Sequence, residues 1–106
     1  MPEQKHTPGP WFARKAGGQG WPGQRGWAID YNADQEQVVD FVYEEADARL
    51  IAQAPGLLAD LIVAAGTLRH YEALHRAKGT TESLEKAEVN AGLASRFEKT
   101  IAKATQ

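Results

Sequence analysis

Three tryptophans, Trp11, Trp21 and Trp27, lie in the N-terminal 30 residues, with Arg14, Lys15 and Arg25 among them. Indole rings and guanidinium groups at that density can stack on bases, hold an anionic ligand or anchor a protein interface. Trp21 stands among glycines, where it is hard to bury, and is expected to be an exposed anchor. Trp11 and Trp27 have a structural alternative as core residues packed on the helical hairpin. Arg49, in the run Glu45-Ala46-Asp47-Ala48-Arg49-Leu50-Ile51-Ala52, adjoins an alanine-rich apolar face. It either pairs with Glu45 one turn earlier, the common case on a helix surface, or faces a ligand or interface. The candidate ligand-binding residues are therefore Trp11, Trp21, Arg25, Trp27 and Arg49.

Residues suited to bond-making are sparse. The chain has no cysteine and no G-x-S-x-G elbow, and Ser83 and Ser95 both sit in helical context. Glu44-Glu45 reads as first-turn helix charge rather than an acid/base pair. His70 and His75, five residues apart, project about 140° from one another on a helix and cannot easily share an ion, so no metal site is expected. Gly17-Gly18-Gln19-Gly20 lacks the lysine and the strand-to-helix context of a phosphate-binding loop and reads as a surface loop. No catalytic residue, metal or cofactor is assigned, and the chain is expected to bind rather than catalyse.

With 106 residues there is room for one domain and one modest core. The absence of cysteine removes disulfides and thiolate metal sites as staples. Residues 1–10 hold no apolar leader, and the longest apolar run, Leu57 to Ala65, is broken by Asp60, so neither signal peptide nor membrane span is expected. A formal net charge of -2 with interspersed signs disfavours a general nucleic-acid coat.

The elements that must position these residues follow from local pattern. Prolines and a glycine make residues 1–10 an extended arm. A short strand from Trp11 to Arg14 runs into a Gly/Pro-rich loop over 16–23. Trp27, Ile29 and Tyr31 alternate with Ala28, Asp30 and Asn32, the period of a strand with one buried face. After a turn at Asn32-Ala33-Asp34, Val38 to Tyr43 reads as another strand, with Val39, Phe41 and Tyr43 on one side. From Glu44 the pattern turns helical, with Pro55 ending a short helix and opening the next. Leu57, Leu61, Ala64, Leu68, Tyr71 and His75 recur at helical spacing, Gly79 follows a basic last turn, and Thr80-Thr81-Glu82 caps a final helix. The expectation is a single α+β domain over 1–106: arm 1–10, antiparallel β-meander 11–43, helices 44–106. The meander is expected to pack on a C-terminal helical hairpin, whose alanines allow close approach.

Two blocks carry a family resemblance. His6-Thr7-Pro8-Gly9-Pro10-Trp11, and Ala46-Asp47-Ala48-Arg49-Leu50-Ile51-Ala52-Gln53-Ala54-Pro55 with the Leu57-Leu58 pair after it, resemble the small accessory proteins of tailed phages and prophages that begin "HTPGPW" and continue into "ANARLIAxAPxLL". Asp47 stands where Asn is more familiar. The resemblance implies a phage-encoded, non-structural protein acting in the host cytoplasm, in a class that often counters host immunity. The layout is also similar to that of viral proteins that assemble into oligomers and sequester nucleotide-type immune signals between protomers. A homo-oligomer holding a nucleotide-type ligand is the leading expectation. The alternatives are an inhibitor that binds a host defence protein directly, as anti-CRISPR proteins do, and a nucleic-acid-binding regulator using Arg69, His70, His75, Arg76 and Lys78.

Overall fold

A computed structural model of the chain describes residues 5–16 and 26–106. Trp21, Arg25 and residues 17–23 of the expected loop lie outside them. The element order is β1 (Phe12–Lys15), β2 (Trp27–Asp30), β3 (Gln37–Val42), α1 (Glu45–Ala52), α2 (Ala54–Lys78) and α3 (Thr81–Ala104), an α+β fold. The chain divides into two compact units, Met1–Leu57 and Leu58–Gln106, with the division falling inside α2.

In the first unit the strands form an antiparallel sheet in the order β1-β2-β3. The helix that covers it is α1, which touches all three strands. Alanine spacing makes this close contact possible: Ala48 and Ala52, one turn apart, present only methyl groups to Ile29, and the three form the buried cluster. Trp11, Trp27, Val39, Val42 and Ile51 pack around it, so the two described tryptophans are partly core.

β2 and β3 depart from simple alternation. Both faces of the middle strand are covered, since Ala28 and Asp30 are buried along with Ile29. Arg14 on β1 lies over Asp30, its Nε donating to Oδ2 at 2.7 Å and Nη2 to Oδ1 at 3.4 Å. Pairing of β2 with β3 shifts register between Trp27 and Ile29 and again between Ile29 and Asp30. In each interval β3 spends one residue more than β2, and such bulges rotate the following side chains. Phe41 and Tyr43 therefore do not join Val39 on the core. They are exposed and pack edge to face on each other at 4.7 Å, and the Phe41 ring lies where a β-carbon on Gly26 would stand.

The turn from β2 to β3 falls where Asn32-Ala33-Asp34 suggested. Tyr31 Oη and Asn32 Nδ2 donate to the Glu36 carboxylate at 2.8 and 3.1 Å, and the Glu36 amide returns a bond to Asn32 Oδ1. These donors, the tyrosine first, hold Glu36 below the ordinary carboxylate value.

The second unit is an antiparallel hairpin of α2 and α3. Gly79 adopts φ 71°, the left-handed conformation that ends α2, and its amide reaches the His75 carbonyl at 3.3 Å. Thr80 then caps α3, its hydroxyl accepting from the Ser83 amide at 3.1 Å. The residues buried here are small: Ala65, Ser83, Ala87 and Ala94. Arg69 ties the helices together, donating to Glu98 at 2.7 Å and to Glu72 at 2.8 Å, while Arg76 bridges Glu72 and Glu88. Glu72 sits well covered between both arginines and is held below its ordinary value, by Arg69 first and then Arg76.

Candidate functional site

The two blocks noted in the sequence meet in the first unit. The arm folds back on its own tryptophan, with the Trp11 indole donating to the Thr7 carbonyl at 3.2 Å and the His6 ring edge-on to the Trp11 ring at 6.4 Å. Gly9 lies against Pro55, so close that a β-carbon there would come within 2.6 Å of the proline ring. Part of both blocks therefore serves to dock the arm on the start of α2.

Beside this contact opens a cleft of about 430 Å³ lined by Trp11, Phe12, Ala13, Arg49, Ala52 and Gln53, within the range of small-molecule sites. Strand β1 supplies Phe12 and Ala13, and α1 supplies the other wall. Arg49 and the C-cap residue Gln53, four residues apart, share one side of that helix end. Ala48 and Ala52, on the adjoining side, let α1 approach the sheet closely.

Arg49 is the cleft's cation. Its side chain is 67% exposed, and Nε reaches Glu45 Oε2 at 3.2 Å. Its guanidinium carbon also stands 5.9 Å from the centre of the Trp27 ring, within range of a cation–π contact. The helix-surface pair with Glu45 is therefore present, and the guanidinium also lies beside the Trp27 ring. Trp11, Trp27 and Arg49 are brought together, whereas Trp21 and Arg25 lie outside the described residues.

Phe12 and Gln53 were not anticipated as lining residues. Phe12 is 53% exposed and looked like an ordinary strand residue next to Trp11. Gln53 could have been found from its spacing to Arg49.

Elsewhere, Arg69 and Arg76 of the suggested nucleic-acid cluster are engaged by carboxylates. His75 is half-buried, and its Nδ1 has no hydrogen-bond partner among the described residues. No group of three metal-ligating side chains occurs among those residues. No single helix there is long and apolar enough to cross a membrane.

A model of the Salmonella phage P22 protein Y8K6 family matches residues 1–106. The chain belongs to that family. Membership in the P22 Y8K6 family makes it a phage-type protein over its whole length, in agreement with the phage context that the two blocks suggested. No curated protein and no solved structure matches the chain.

Proposed function

We propose that this member of the P22 Y8K6 family is a non-enzymatic binding protein that takes a nucleotide-type ligand at the cleft between β1 and α1. In the host cytoplasm it would hold an immune signal of that chemistry away from its receptor. The observation that carries this reading is the placing of Arg49 beside Trp27 and opposite Trp11 at an open cleft. A planar base stacks on Trp11 or Phe12, a phosphate meets the Arg49 guanidinium, and the Gln53 amide supplies a donor and an acceptor for the base edge. Trp21 and Arg25 belong to the proposed ligand set from the sequence. The phage family supports the context of infection.

The test is a calorimetric titration with cyclic dinucleotides, cyclic mononucleotides and ADP-ribose derivatives. At least one should bind, and Arg49→Ala should weaken it roughly 10- to 100-fold, the worth of a charge-assisted hydrogen bond. Trp11→Phe, which keeps a ring but gives up the Thr7 bond, should weaken it less. Binding by none of these compounds, or unchanged binding by Arg49→Ala, would refute the proposal.

A further inference from the structure

The hairpin keeps its small residues inside and leaves large apolar ones out: Tyr71 is 50%, Val89 63% and Leu93 41% exposed. Tyr71 and Leu93 belong to two strips that share one side of the hairpin. At about 100° per residue, positions 61, 64, 68, 71 and 75 of α2 form a narrow strip offset to one side of Ala65, the contact with α3. Positions 86, 90, 93 and 97 of α3 are offset in the same rotational sense from Ala87. Because the helices run antiparallel, equal offsets bring both strips to the same side of the hairpin. At the loop end of that side, His75 of α2 and Glu82, Glu85, Lys86, Val89 and Asn90 of α3 line one groove of about 540 Å³, a polar end to the strips. By the same reckoning the Arg69–Glu98 and Arg76–Glu88 bridges occupy the opposite side. One side of the hairpin thus carries the ion pairs, with Ile62 and Leu84 exposed beside them, and the other carries Leu61, Leu68, Tyr71, Leu93 and Phe97, with Lys86 and Asn90 towards the loop end.

Steps of three and four residues along the α2 strip average 3.5, the repeat by which a helix lies along another helix. The charges that flank the strips point to the occupant. On α2 an acidic Asp60 near the start gives way to Lys78 at the end, and on α3 Glu82 and Glu85 give way to Arg96 and Lys103. A helix whose flank changes sign in this way complements its own copy laid antiparallel.

We infer that the side of the hairpin carrying these strips docks a second copy of this chain, giving a two-fold, four-helix bundle. Each helix lies antiparallel to its counterpart, so that all neighbouring helices in the bundle are antiparallel. Leu61, Leu68, Leu93 and Phe97 fill its core, and Asp60 meets Lys78 of the second copy. The inference does not depend on the ligand reading, which concerns residues of the other unit.

Analytical ultracentrifugation of the full chain across micromolar to submillimolar concentration tests it. The wild type should sediment at twice 11.6 kDa. Leu93→Glu should weaken self-association roughly 100-fold or more, because dimerisation would bury an unpaired carboxylate. Val63→Glu, on the outward side of α2, should leave it unchanged. Lys78→Glu should weaken association and the double variant Asp60→Lys with Lys78→Glu should restore it, which misfolding cannot mimic. A wild-type monomer throughout the range overturns the inference, and one that co-sediments with anionic phospholipid vesicles assigns the face to lipid instead. A dimer that survives Leu93→Glu overturns it as well. Arg49→Ala should remain dimeric, so failure here and failure of ligand binding are distinguishable.

Discussion

A carboxylate at 4% exposure requires a partner, and Asp30 has one in Arg14, whose own ionisation is pushed further up by the hydrogen bond to Asp30. Replacing Arg14 with Met keeps the stem over the sheet but leaves the buried carboxylate without its cation. The urea midpoint should fall, and Asp30→Asn in the same background should recover part of the loss. Gly26 is a second single-residue constraint, since a methyl group there enters the space of the Phe41 ring. Gly26→Ala should cost roughly 1–3 kcal/mol in urea unfolding, the usual range for overpacking. Gly26→Ala combined with Phe41→Ala should cost no more than Phe41→Ala alone. Neither constraint could be read from the sequence. Asp30 alternated with apolar residues as an outward-facing position would, and the Gly26–Phe41 approach depends on pairing across 15 residues.

At the scale of elements, the helix boundaries were legible and the β3 register was not. Pro55, Gly79 and Thr80 act through their own backbone chemistry, so each declares itself locally: a missing donor, a left-handed φ of 71°, a hydroxyl that caps. Gly79→Ala should cost about 1 kcal/mol, since a β-carbon is strained in that conformation. The two bulges are a property of the β2–β3 pair and leave no comparable mark on either segment. The cleft was legible in the same partial way: Trp11, Trp27 and Arg49 are suspicious residue types, but their convergence depends on alanines that let α1 approach the sheet. The ion-paired side of the hairpin carries a pH dependence whose sign is fixed. Glu72 and Glu98 titrate below their ordinary value of 4.5 in the folded chain, chiefly through Arg69. Their contribution is therefore present above that value and is lost as pH falls through the depressed folded values. Amide exchange in α2 and α3 should be steady from pH 7 to about 5, after correction for intrinsic rates, and accelerate below about 4.5. Glu72→Gln should flatten this dependence.

For the whole molecule, the α+β class and element order follow from pattern, and the phage context from two short blocks that a family match over all 106 residues supports. The blocks turn out to touch, Gly9 on Pro55, which gives them a structural purpose apart from any ligand. Gly9→Val should loosen the arm and expose residues 5–11 to protease, with the hairpin left intact. The division into two units also distributes the chromophores unevenly. All three tryptophans precede Leu57, while the hairpin holds Tyr71 and Phe97 but no tryptophan, and two helices of 25 and 24 residues against the 8 of α1. Indole emission is thus a gauge of the N-terminal unit, and far-ultraviolet ellipticity is chiefly a gauge of the hairpin. The molecule carries a separate optical channel for each half, and a base stacked on Trp11 would be seen in the first as quenching, without any added label.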